Sequence, residues 1–145
     1  MDVEPIFRIA NSVALAGWLV LLASPVAPRL AQIVSGLTIP LLLAVAYSSL
    51  VLAFWSSGQG GFGSLDQVAQ LFQSRELLLA GWIHYLAFDL FVGAWIVRSA
   101  RENGVAFWMA APCLVLTFLF GPAGFLLFNA IVAAKSMPSL KGATS

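Results

Sequence analysis

Four long apolar stretches dominate this chain and limit what it can fold into. They cover residues 6–24, 36–55, 77–97 and 107–134. A helix needs roughly 20 apolar residues to cross about 30 Å of hydrocarbon, so each stretch is long enough to span a bilayer. Only 9% of the residues are charged and 61% are hydrophobic, which leaves too little polar surface for a water-soluble globule. The sequence therefore predicts an all-α membrane protein.

Short polar segments separate the stretches and predict one transmembrane domain over residues 1–145, built as an up-down bundle of four transmembrane helices. Prolines at positions 25 and 28 end the first helix, because proline lacks the backbone N–H that a helix needs. Pro40 lies close to the predicted start of the second helix, where a missing N–H is tolerated. The Gly-Pro-Ala-Gly segment at 121–124 predicts a kink near mid-membrane in the fourth helix.

A polar connection joins the second and third stretches. Its first part, residues 56–63, is a glycine-rich loop. In the part that follows, residues 64–72, apolar side chains recur at helical spacing and Ser64 is placed to cap the first turn. We expect a short amphipathic helix on the membrane surface, and a lid over a site is the alternative.

The cations give an expected orientation. In a four-helix up-down bundle the N-terminus, the second loop and the C-terminus share one side, here called side A, and the opposite side is side B. Side A then holds Arg8, Arg75, Lys135 and Lys141, and side B holds Arg29, Arg98 and Arg101. The positive-inside rule therefore favours cytoplasmic termini.

The start of the chain bears on its location. It carries two acids and one arginine before the first apolar run, unlike a basic secretory signal or an arginine-rich transit peptide. We expect a bacterial inner membrane, or a plastid membrane if the chain is the mature form of a plant protein.

The polar composition argues against several classes of function. A formal net charge of +1 gives no basic face for nucleic acid. Cys113 is the single cysteine, so we expect neither a disulfide within the chain nor a thiolate metal cluster. His84, Asp89 and Glu76 lack the i, i+3 or i, i+4 pairing of helical metal ligands, so a metal or haem site is disfavoured and no cofactor is expected.

Ionisable residues lie inside the predicted hydrocarbon region only in the third stretch. At ~1.5 Å per residue, His84 lies about 12 Å deeper than Glu76, and Asp89 lies about 20 Å from Glu76. Ionisable groups within a membrane are costly and usually mark a function, so His84 and Asp89 are candidate catalytic residues. Glu76 either joins them or only begins a helix after Ser74, where a negative charge is favoured. At ~100° per residue the three do not form one stripe, since Asp89 is about 140° around the helix from His84.

Other polar residues are predicted in the same half of the membrane as His84. Asn11 in the first helix, Tyr47 in the second and Asn129 in the fourth fall at a similar depth in an up-down bundle. Together with Trp82 they are candidate ligand-binding residues. The alternative is that they form hydrogen bonds between helices, each contributing about 0.6 kcal/mol.

The third stretch also carries a recognisable motif, Trp-Ile-His-x-Leu-Ala-x-Asp-Leu-Phe, at residues 82–91. With a weaker echo at 120–124, this motif resembles the plant abscisic-acid-deficient-4 family, which is linked to neoxanthin synthesis. The resemblance implies a membrane carotenoid isomerase that converts violaxanthin, a 5,6-epoxide, into the allenic alcohol neoxanthin without a redox cofactor. In a bacterium another carotenoid or polyisoprenoid is the expected ligand.

Such an isomerisation needs an acid at the epoxide oxygen and a base at the vinylic proton. His84 as base and Asp89 or Glu76 as acid would supply these groups. The competing hypothesis is a non-catalytic carotenoid- or lipid-binding subunit that assists a partner membrane enzyme. Because four helices are few to enclose a long polyene, a homodimer groove is a further alternative.

Overall fold

A computed structural model describes residues 1–136, and every regular element within that range is helical, as predicted. We number the α-helices α1 to α7 in chain order. They are α1 (Glu4–Leu22), α2 (Pro28–Ile33), α3 (Ile39–Phe54), α4 (Leu65–Leu71), α5 (Arg75–Glu102), α6 (Phe107–Phe120) and α7 (Pro122–Ser136).

The second apolar helix begins earlier than the predicted residue 36. It starts with Pro28 and continues without a break through α2, a π-helical turn at Val34–Thr38, α3 and a 3-10 turn at Trp55–Ser57. Pro40 therefore lies inside a continuous helix. Its missing N–H interrupts the regular hydrogen-bond ladder, which accounts for the wider π-helical turn just before it. Within this turn the Ser35 hydroxyl donates a 2.7 Å hydrogen bond to the Gly17 carbonyl oxygen and fastens the segment to α1.

Helix α5 is the centre of the molecule, and α1, α3 and α6 all pack against it. It begins at Ser74, whose hydroxyl accepts a hydrogen bond from the Leu77 N–H. Small residues let its neighbours approach closely, as membrane helices often require. A Cβ placed on Gly93 would lie 2.7 Å from the Trp18 ring, and one on Gly36 would lie 3.3 Å from the Ala94 Cβ.

The fourth predicted span is wrong as a single kinked helix. The chain reverses at Gly121, and α6 and α7 pack side by side as an antiparallel hairpin. Near the turn, Gly124 of α7 lies against Cys113 and Thr117 of α6. At the open end, the Lys135 Nζ donates a 2.6 Å hydrogen bond to the Gly104 carbonyl oxygen.

The hairpin changes the expected sidedness. In the described part of the chain, α1, the continuous helix Pro28–Ser57 and α5 are long and apolar enough to cross a membrane, whereas α6 and α7 are shorter. Ser136 lies at the same end of the molecule as Glu102, so the prediction that the chain's two ends share side A is wrong for the described residues. Lys135 therefore belongs with the three side B arginines, and Lys141 lies outside the described residues.

The predicted short helix between the second and third spans is confirmed as α4. The Ser64 hydroxyl caps it by accepting a hydrogen bond from the Gln67 N–H. Leu71 is buried, whereas Leu65 is exposed. Helix α4 thus has one face on the protein and one face turned outward.

We expect residues 57 and 136 to lie on opposite sides of the membrane. Membrane-impermeant maleimide should label Ser57→Cys from one face of oriented vesicles, and Ser136→Cys and Glu102→Cys from the other. Cys113 is fully buried, so the unmodified chain should stay unlabelled. Labelling of positions 57 and 136 from the same face would restore the four-span arrangement.

Candidate functional site

Two neighbouring pockets lie along the outer surface between α3 and α5, and we call them together the groove. One part, of about 240 Å³, is lined by Gly36, Leu37, Pro40, Leu41, Ala44, Ala87, Phe88 and Phe91. The other, of about 350 Å³, is lined by Tyr47, Val51, Trp55, Phe62, Leu71, Phe72, Leu77, Ala80, Gly81 and His84. The two parts meet where the rings of His84 and Phe88 stack, with centroids 4.6 Å apart.

His84 and Tyr47 are the titratable side chains among the residues that line this groove. Their rings pack against each other in the groove, with centroids 5.6 Å apart and planes inclined by 55°. No hydrogen bond within residues 1–136 joins either ring to another protein group. Because His84 is also exposed, its nitrogens and the Tyr47 hydroxyl are free to contact a bound molecule.

The connection before α5 closes one end of the groove. The Phe72 ring packs against Gly81, where an added Cβ would lie 2.8 Å from the ring, and the Phe62 ring lies 5.4 Å from that of Trp55. The glycine-rich loop is held to α4, since the Gly61 N–H donates to the Gln67 carbonyl oxygen at 3.2 Å. Phe62, Leu71 and Phe72 of this segment thus line the same part of the groove as His84.

Asp89 lies on a different face of α5 and does not reach the groove. Its side chain is only 8% exposed, and its Oδ2 has no hydrogen-bond partner within residues 1–136. A Cβ placed on Gly121 would lie 2.7 Å from its Oδ1, so the carboxyl group abuts the hairpin turn. Tyr85, one helical turn earlier, donates its hydroxyl to the carbonyl oxygens of Leu119 at 3.2 Å and Phe118 at 3.4 Å.

The hairpin turn requires glycine for two reasons. Gly121 has φ 48° and ψ −100°, a conformation that residues with a Cβ rarely adopt. The close approach of Asp89 also leaves no room for a side chain. Tyr85 partly satisfies the last carbonyl groups of α6, which have no partner within the helix.

Glu76 lies at the first turn of α5, away from His84. It accepts a hydrogen bond from the Ser74 hydroxyl at 3.2 Å and forms a 3.4 Å ion pair with the amino group of Met1. Of the two roles predicted for Glu76, these contacts fit the one in which it begins the helix after Ser74, because a negative charge is favoured at a helix N-terminus.

The remaining candidates are also dispersed. Asn11 accepts a 3.2 Å hydrogen bond from the Trp82 indole N–H, so these two residues meet between α1 and α5 on the face away from His84. Asn129 is exposed on α7 and donates to the Phe125 carbonyl oxygen of its own helix. Its predicted depth was wrong, because α7 returns toward side B and brings the neighbouring Phe128 against Trp95.

The structure therefore unites His84 with Tyr47 and Asn11 with Trp82, and separates both pairs from Glu76, Asp89 and Asn129. The sequence reasoning assigned no roles to Phe88 and Tyr85, and it gave Gly121 a part only in a kink. Sequence spacing could have indicated Phe88 and Tyr85. Phe88 follows His84 by four residues, and Tyr85 precedes Asp89 by four residues, so each pair lies on one helix face.

Gly121→Ala should destabilise the protein by about 1–3 kcal/mol, because the new Cβ meets Asp89 and the backbone conformation is strained. Gly104→Ala is the matched control, since Gly104 also has a positive φ of 62° but open space around its Cβ position. The free energies of unfolding can be compared by detergent denaturation. An equal loss in the two variants would show that the Asp89 contact does not contribute.

Comparison with known proteins confirms the resemblance that the 82–91 motif suggested. The sequence profile of the ABA DEFICIENT 4-like family matches residues 5–128 of the 145 in the chain. Neither curated proteins nor solved structures give a significant match. The family match covers α1 to α6 and the turn into α7, including the groove, His84 and Asp89. This chain belongs to the ABA DEFICIENT 4-like family.

Proposed function

We propose that the protein is a multi-pass membrane enzyme that isomerises a carotenoid or related polyene by proton transfer in the groove between α3 and α5. The observation that supports this most directly is the position of His84. It is an accessible imidazole midway along an otherwise largely apolar groove, with Tyr47 beside it. An ionisable group in such surroundings is unfavourable for packing alone.

The shape of the groove suits a long, thin, apolar ligand. Between Leu77 and Phe91 the wall formed by α5 extends for about 21 Å at ~1.5 Å per residue. Leu41 and Phe88 are exposed on its rim, so the groove opens toward the surroundings of the bundle. In a membrane those surroundings are hydrocarbon, from which a polyene would enter without passing through water.

The chemistry follows from the family relationship. In a vinyl epoxide, removal of the vinylic proton lets the C–H electron pair form a new double bond to the adjacent epoxide carbon. The C–O bond to that carbon breaks, and the oxygen takes up a proton to give an allenic alcohol. The product is an isomer of the substrate, so no redox cofactor is needed. His84 would act as the base, a common role for an accessible imidazole.

We further propose that α1, the helix Pro28–Ser57 and α5 span the membrane, and that the α6–α7 hairpin enters the membrane from side B and returns to side B. Within residues 1–136, Arg29, Arg98, Arg101 and Lys135 lie toward side B, and only Arg8 and Arg75 lie toward side A. The positive-inside rule then places side B in the cytoplasm of a bacterium, or in the corresponding compartment of a plastid. This is the reverse of the orientation expected for four spans.

A second candidate function is a non-catalytic carotenoid- or lipid-binding subunit that assists a partner membrane enzyme. One observation favours it: neither Asp89 nor Glu76 reaches the groove, so the expected carboxylic acid is missing there. Such a subunit would retain pigment without changing it. A homodimer would extend the binding surface in either case.

Expression in a host that accumulates epoxycarotenoids tests the proposal. Chromatography of the pigments should show a new product of unchanged mass. His84→Ala should lower its formation by roughly 100-fold or more, the usual contribution of a general base. Asn129→Ala, an exposed position outside the groove, should leave the product level unchanged.

Two results would contradict the isomerase. An active His84→Ala variant would remove His84 from the chemistry. Abundant wild-type protein that is purified with bound pigment but forms no product would favour the binding subunit instead.

A further inference from the structure

An acid–base isomerisation needs a proton donor as well as a base, and the structure limits which side chain can provide it. Asp89 abuts the hairpin turn on another face of α5, and Glu76 is paired with the amino group of Met1. A ligand bound beside His84 in the groove would therefore contact neither carboxyl group. Among the residues lining the groove, Tyr47 is the remaining titratable side chain.

We propose that Tyr47 is the acid that protonates the substrate oxygen, with the neighbouring His84 as the base. This assignment rests on the proposed function and gives its missing partner. A neutral phenol carries a hydroxyl donor without placing a charge in hydrocarbon, where charges are costly. It is thus a suitable donor for a groove that faces lipid.

The geometry supports a concerted role for the two rings. They belong to different helices, Tyr47 to α3 and His84 to α5, so they form two walls of one groove. With ring centroids 5.6 Å apart, the two rings are neighbours, so a ligand end group bound beside one of them would also lie close to the other. The Tyr47 hydroxyl has no protein acceptor within residues 1–136 that would compete for its proton.

The proton balance is complete with these two groups. His84 takes the vinylic proton while the epoxide C–O bond breaks, and Tyr47 gives its hydroxyl proton to the oxygen. This step leaves an imidazolium beside a phenolate, two opposite charges that stabilise each other. Transfer of one proton from His84 to Tyr47, directly or through one water molecule, restores both groups for the next turnover.

The same arrangement predicts how the substrate lies. Its oxygenated end group would be beside His84 and Tyr47, beneath the aromatic rings of Trp55 and Phe62. Its polyene chain would extend along the apolar part of the groove toward Gly36 and Phe91. The family relationship implies a substrate of this shape: a long polyene with an epoxide at its end group, next to a carbon–carbon double bond.

Tyr47→Phe tests this assignment, because it removes the hydroxyl and keeps the ring that packs against His84. Purified from the epoxycarotenoid-producing host, the variant should retain as much pigment as the wild type. Its rate of product formation should fall by roughly 100-fold or more. Asn129→Ala is the control, because Asn129 is exposed on α7 and lies outside the groove. Asp89→Asn tests the competing acid and should remain active.

The outcomes separate this inference from the proposed function. A wild-type protein that forms product together with an equally active Tyr47→Phe variant would overturn the assignment of Tyr47 alone. Loss of product in Asp89→Asn, with pigment retention unchanged, would overturn it in favour of the carboxyl group. A wild-type protein that retains pigment and never forms product would overturn the isomerase and, with it, the role of Tyr47.

Discussion

The chain reversal at Gly121, which ends α6 and begins α7, is the constraint on which the rest of the structure depends. A helix that ends within hydrocarbon leaves carbonyl groups that water cannot reach, and leaving such groups unpaired costs several kcal/mol. Tyr85 donates to two of these groups, and Gly121 lets the chain reverse beside Asp89. Tyr85 therefore supports the hairpin turn, and the Asp89 carboxyl group lies against that turn.

The positions of their side chains divide the polar residues of α5 into two groups. Tyr85 and Asp89 face the hairpin, whereas His84 and Phe88 face α3. Both pairs have the spacing of four residues that places side chains on one helix face. One central helix thus presents a structural face to α6 and an accessible face to the groove, and a single bound ligand would contact only the second.

The motif at 82–91 combines both faces in ten residues. Its histidine belongs to the groove and its aspartate to the hairpin turn. A family resemblance based on this motif therefore does not imply that the two ionisable residues act on the same molecule. The pairing of His84 with Tyr47, a residue 37 positions earlier in the chain, depends on how α3 packs against α5.

The sequence by itself determined the helical class, the three long membrane-length helices and the short α4. It also determined that the ionisable residues inside the apolar stretches all belong to α5. These properties follow from local patterns of apolar residues, capping residues and glycine. Only the tertiary structure decided that residues 107–134 form a hairpin, because a Gly-Pro pair allows a kink or a reversal and packing selects between them. It also decided which polar residues meet. Rotation around a helix separates Asp89 from His84, but the partner of each side chain depends on the neighbouring helix that packs against that face.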